Sequence, residues 1–112
     1  MRRNGPADSI KTLTYDETYR LQGLALDNGM KAIGYFEAHQ RFADSGDQIG
    51  SIKVLMLACK NLGAASTLMS MLQAYGDSRA YDDWAHNQLS RLIEKAERAW
   101  AYASAKVGDY WY

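Results

Sequence analysis

Between Tyr15 and Val107 the apolar residues of this 112-residue chain recur every three or four positions, and alternating runs are scarce. That period belongs to the α-helix, whose turn brings such positions onto one face. The one proline, Pro6, lies near the N-terminus, so nothing downstream of it forbids helix. Two polar breaks with turn residues, "ADSGDQIG" at 43–50 and "YGDS" at 75–78, cut the pattern into three segments. The predicted fold class is all-α: one domain over 1–112, an up-down-up bundle of three long helices joined by short loops. Residues 1–13 show no helical stripe and read as an N-terminal arm.

The first helix is predicted from Tyr15 to about Phe42. Thr14 with Glu17 three residues on is a capping-box pattern. Tyr15, Tyr19, Leu26, Met30 and Ile33 form its stripe. "DNG" at 27–29 is a turn signal, which predicts either a kink near Asn28 in one helix or a break into two. The stripe stays in phase across Gly29 and favours one helix. Leu21, Leu24, Tyr35 and Phe42 fall on the opposite side. Two apolar faces on an outer helix point to a second interface, in a homodimer or on a target, unless a rotation at "DNG" brings both sets into one core.

The second helix, 48–75, takes Asp47 as its N-cap and contains only two charges, Lys53 and Lys60. "VLMLAC" at 54–59 is apolar on every side, which predicts a central helix buried all round. Gly63, Ala64, Ala65 and Ser66 are small enough to admit a close neighbour. The uncharged run 61–75 is shorter than the ~20 residues that span a bilayer and is dotted with polar groups, so a membrane role is disfavoured.

The third helix is predicted from about Arg79, capped by Asp77 or Ser78, to Lys106. Its stripe is Tyr81, Ala85, Leu89, Leu92, Ala96, Ala99, Ala103 and Val107. Gly108 is placed as a left-handed stop. An aromatic tail, 109–112, then carries Tyr110, Trp111 and Tyr112, either to cap the bundle end or to plug a partner. At ~1.5 Å per residue each helix reaches roughly 40 Å. That is thin for one chain's core and is consistent with completion by a second copy.

Charge and chemistry narrow the function. Thirteen basic and thirteen acidic residues cancel, so no whole-molecule field steers the chain toward nucleic acid or anionic lipid. The single cysteine, Cys59, excludes a disulfide framework and suits a reducing cytoplasm; its apolar helix predicts a buried, inert thiol. The start "MRRNGPADSI" lacks the apolar core of a secretory signal. No phosphate loop, HExxH or nucleophile-elbow motif is present. Asp82 and His86 supply two potential metal ligands and no third. The expectation is a non-enzyme without cofactor or metal.

The most specific pattern lies on the third helix. Projected at ~100° per residue, Trp84, Arg91, Lys95, Arg98 and Tyr102 share one flank beside the apolar stripe, while Asp83, Glu94 and Glu97 fall on the other side. Trp, Tyr and Arg are the usual anchors of protein interfaces. The same set could instead hold phosphates and stack on bases, or simply lie over the core edge. The reading is a small cytoplasmic binding protein that occludes or tethers a macromolecule, most plausibly a protein. Its type is that of phage- or plasmid-encoded inhibitors, immunity proteins and adaptors. The alternative is a nucleic-acid or nucleotide binder using Arg91, Lys95 and Arg98.

Overall fold

The computed structural model describes residues 12–111, with side chains as far as Ala105. It contains three α-helices, α1 (Tyr15–Asp44), α2 (Gln48–Tyr75) and α3 (Asp83–Trp111), and no strand among the described residues. The all-α class is therefore observed.

α1 begins at a complete capping box: the Glu17 amide donates to Thr14 Oγ1 at 3.1 Å, and the Thr14 amide donates to Glu17 Oε1 at 2.9 Å. The Thr14 amide, and then its hydroxyl, hold the Glu17 carboxyl below its ordinary value. The helix runs unbroken through Asn28 and Gly29. The Asn28 side chain donates to its own helix at Leu24 O, 2.8 Å, instead of turning the chain. The turn into α2 uses Gly46 at φ 84°, a left-handed conformation that glycine adopts without a Cβ clash. Asp47 Oδ1 then accepts the Gly50 amide at 2.8 Å and caps α2 as expected.

The buried face of α1 is only partly the expected stripe: Leu26 and Ile33 are half-buried and pack against the core clusters. Tyr19 and Met30 are 68% and 64% exposed, and Tyr15 is exposed too. The buried positions are Thr18, Ala25, Ala32 and His39, every seventh residue, with Gly29 and Phe36 between them. α2 answers with Ser51, Ala58, Ala65 and Leu72, again every seventh. These rows match in pairs equidistant from Ser45. His39 bonds Ser51, Ala32 shares a cluster with Ala58, and Ala25 shares one with Ala65. At the far end Leu13 N donates to Tyr75 O at 2.8 Å, and Asp77 N donates to Thr18 Oγ1 at 2.9 Å. Small side chains shorten the distance between helix axes. The alanine face therefore becomes the contact, and the large rings move to the margins.

α2 is likewise not buried all round. Ile49 and Met56 are 70% and 67% exposed, and Leu57 and Met71 are also exposed. Three helices enclose one of their number only if the other two pack on opposite sides of it. Here α1 contacts each of its neighbours more extensively than they contact each other. The molecule is an elongated slab, 60 × 27 × 17 Å, with a radius of gyration of 17.4 Å. A compact chain of this length would have about 13 Å.

α3 starts later than predicted. Asp77 caps a separate turn, its carbonyl accepting the Ala80 and Tyr81 amides, and the helix proper is capped by Asp82, whose Oδ1 accepts the Ala85 amide at 2.9 Å. The stripe is as expected: Tyr81, Ala85, Leu89, Ala96 and Ala103 are buried and Leu92 and Ala99 half-buried, with Ile93 as a buried addition. α3 also ends later, at Trp111. Gly108 does not stop it, because glycine costs a helix only ~1 kcal/mol and no proline follows to enforce a break. Tyr110 and Trp111 thus continue the helix. Tyr112, the side chains from Lys106 on, Val107 included, and residues 1–11 of the arm lie outside the described residues.

Candidate interaction surfaces

On α3 the residues Trp84, Gln88, Arg91, Lys95, Arg98 and Tyr102 follow one another at four- and three-residue steps, and all are exposed. Trp84 is 68% exposed and Tyr102 61%. The structure thus brings the whole predicted flank onto one solvent-facing line about 27 Å long, at ~1.5 Å per residue. Asp83, Glu94 and Glu97 are exposed as well; their positions fall to one side of the row, with Glu94, one turn before Arg98, bordering it. The row itself carries only basic charge, with acidic groups along its border, on a chain that is neutral overall.

Leu21, Leu24, Tyr35 and Phe42 do not form one free face. Leu21 and Tyr35 are half-buried and pack against the chain's own two core clusters. Leu24 is exposed, and Phe42, 37% exposed, sits at the α1–α2 turn close to Gly50.

The turn between α2 and α3 is tightly built. The Asp77 carboxylate accepts from the Arg79 amide at 2.9 Å, from Nε at 3.0 Å and from Nη2 at 2.6 Å. These bonds, the side-chain ones first, lower its pKa from 3.8 to about 2. The Arg79 guanidinium also lies 5.7 Å from the Tyr15 ring centroid. His86 is occupied structurally: Nδ1 is 2.8 Å from the Tyr81 hydroxyl and Nε2 is 3.4 Å from Gln73 Nε2. Burial raises the Tyr81 pKa. Among the described residues no group of three or more His, Cys, Asp or Glu side chains could hold a metal.

Two features escaped the sequence reading. His39 is 1% exposed, with Nδ1 2.7 Å from Ser51 Oγ and 3.1 Å from Ser51 O, and Nε2 buried without a partner. Its signal is the seven-residue spacing from Thr18 through Ala25 and Ala32. The other is the outer side of α2. Ile49, Lys53, Met56, Lys60, Gly63, Thr67, Ser70 and Ala74 follow at alternating four- and three-residue steps, all exposed, opposite the buried row. Lys53, Met56, Leu57 and Lys60 line a shallow apolar depression there. Cys59, expected to be buried, is exposed, because α2 has no helix on that side. By length and composition α2 is apolar enough to cross a membrane, with an 18-residue window of mean hydropathy 1.3, of which 11% is buried. Compared with known protein families, curated proteins and solved structures, the chain finds no match.

Proposed function

We propose that this chain is a non-catalytic helical binding protein, an up-down-up three-helix module that occludes or tethers a protein partner through the outer line of α3. The observation that carries this reading is the continuous exposed row from Trp84 to Tyr102, with Arg91, Lys95 and Arg98 on it. Aromatic and arginine side chains gain most when a partner excludes water from them. Tyr110 and Trp111 belong to the same helix, which runs on to Trp111. A bilayer-spanning α2 would carry the charges of α1, such as Arg20, Asp27, Lys31 and Glu37, into hydrocarbon beside it, which speaks against a spanning role; the cytoplasmic setting in this reading rests on the single cysteine.

Charge reversal tests the flank. Arg91→Glu with Arg98→Glu leaves the fold intact, since both are exposed, and abolishes partner capture. Unchanged capture with an unchanged circular dichroism spectrum refutes the role of this surface. The nucleic-acid alternative rests on the same basic residues and differs in salt response. Binding to phosphates weakens log-linearly, by about 0.9 per phosphate contact in duplex DNA, whereas a largely apolar protein contact changes little.

A further inference from the structure

We propose that the outer row of α2 is the seat of a second copy of this chain, packed antiparallel about a two-fold axis level with Asn61 and Leu62. The row is sorted by size. Its first half presents Ile49, Lys53, Met56 and Lys60, flanked by Leu57; its second half presents Gly63, Thr67, Ser70 and Ala74, flanked by Met71. Nothing stands within 4 Å of the position a Cβ would take on Gly63. A two-fold axis at the midpoint sets the large half of each helix over the small half of the other. Ile49 then faces Ala74 of the partner subunit, and Met56 faces the partner's Thr67. A self-complementary surface of this kind is what a two-fold dimer requires, and the alternating four- and three-residue steps are those of helix pairs that interlock. The buried row of α2 already pairs with α1 in this manner, so the helix carries two such rows back to back. This inference is independent of the α3 flank.

Charge and area also bear on the occupant. The row holds two lysines and no acidic residue. Against the partner's Ser70 and Gly63 the lysine stems lie over small residues and the ammonium groups reach water. Like charges near the axis select register at a cost in affinity. The face outlines roughly 450 Å² per copy, taking ~42 Å of helix about 11 Å wide. That is below the ~800 Å² per partner of a tight complex, so the dimer is expected to form at tens of micromolar, not nanomolar, protein.

Sedimentation equilibrium on the full chain, over a hundredfold concentration range reaching the high micromolar, tests this. Mass should rise from monomer to dimer, and association should tighten as salt screens the lysines. Met56→Glu should weaken it by at least about tenfold without loss of helicity. In a Cys59→Ser background, a mixture of Ile49→Cys and Ala74→Cys chains should form a disulfide dimer on oxidation. Neither variant alone should, because the two copies of each position lie about 38 Å apart, far beyond disulfide reach. A monomer at all concentrations overturns the proposal. So does a dimer indifferent to Met56→Glu, or efficient cross-linking of Ile49→Cys with itself, which would mean parallel packing. A monomer that instead co-sediments with anionic lipid vesicles, and does so less as salt rises, overturns it in favour of a lipid surface.

Discussion

Three glycines on α1 allow the approach of α3 to be measured by stability alone. Gly23 and Gly34 are exposed, and a Cβ on either would meet nothing within 4 Å. Gly29 is buried, and its Cβ would stand 2.8 Å from Leu92 Cδ2 and 3.1 Å from Leu92 Cγ. Alanine gains about 1 kcal/mol over glycine in a helix interior. Gly23→Ala and Gly34→Ala are therefore each expected to stabilise by about 0.5–1 kcal/mol, a rise in Tm of about 2–5 °C for a chain of this size. Gly29→Ala has the same propensity gain but forces the half-buried Leu92 aside. Overpacking of this kind costs about 1–3 kcal/mol, so the variant should be destabilised by up to about 2 kcal/mol. Urea unfolding followed by circular dichroism reads the difference directly, at constant m-value. The double variant Gly29→Ala with Leu92→Ala should recover about 1 kcal/mol relative to additivity, because the two changes share one contact. If Gly29→Ala stabilises as much as its two neighbours on α1, then α3 does not lie over α1 at Leu92 and the packing described above is wrong.

Two further outcomes follow from the buried polar contacts and the α2–α3 turn. The folded-state pKa of Asp77 is depressed, so its contribution is fully present above the unfolded value near 3.8 and is lost as pH falls toward about 2; Asp77→Asn should flatten the acid limb of stability in that window, and the carboxyl resonance of Asp77 should titrate with a midpoint about 2. His39 and Ser51 should show a coupling of about 1 kcal/mol in a double-mutant cycle of His39→Leu and Ser51→Ala by urea unfolding, and simple additivity would mean that the 2.7 Å contact contributes nothing.

The parts of the fold that were legible are those where large apolar side chains mark the buried face. α3 has one such stripe, from Tyr81 to Ala103, and it is buried as read. α1 misleads because its contact face is made of Thr18, Ala25, Gly29, Ala32 and His39, residues that hydrophobic periodicity barely registers. Tyr15, Tyr19 and Met30 stand out in the sequence and lie at the surface. Only the strict seven-residue interval, matched on α2 by Ser51, Ala58, Ala65 and Leu72, could have revealed the pairing. On α2 the premise that an apolar helix is an enclosed helix fails, since two rows on opposite sides cancel any one-sided signal. The basic row on α3 was legible because charged groups stay in water wherever the helix packs.

The composition of the core bears on why so much apolar surface remains. Among the described residues, seven of the twelve buried apolar residues are alanine, and the largest side chains buried almost completely are Leu72, Leu89, His39 and Thr18. Alanine contacts bring helices close and fill space well, but each removes little apolar area from water, and hydrophobic stabilisation scales with that area. Ile49, Met56 and Trp84 are large and mostly exposed, so little of their bulk is used within the fold. A single exposed leucine or methionine is unremarkable on any protein. Continuous rows at helical spacing on two different helices are another matter, because each offers a partner helix an unbroken line of contact. Taken with a slab only 17 Å thick, they favour the association proposed above, because much of the helix contact is made by small residues while two rows of the surface stay exposed.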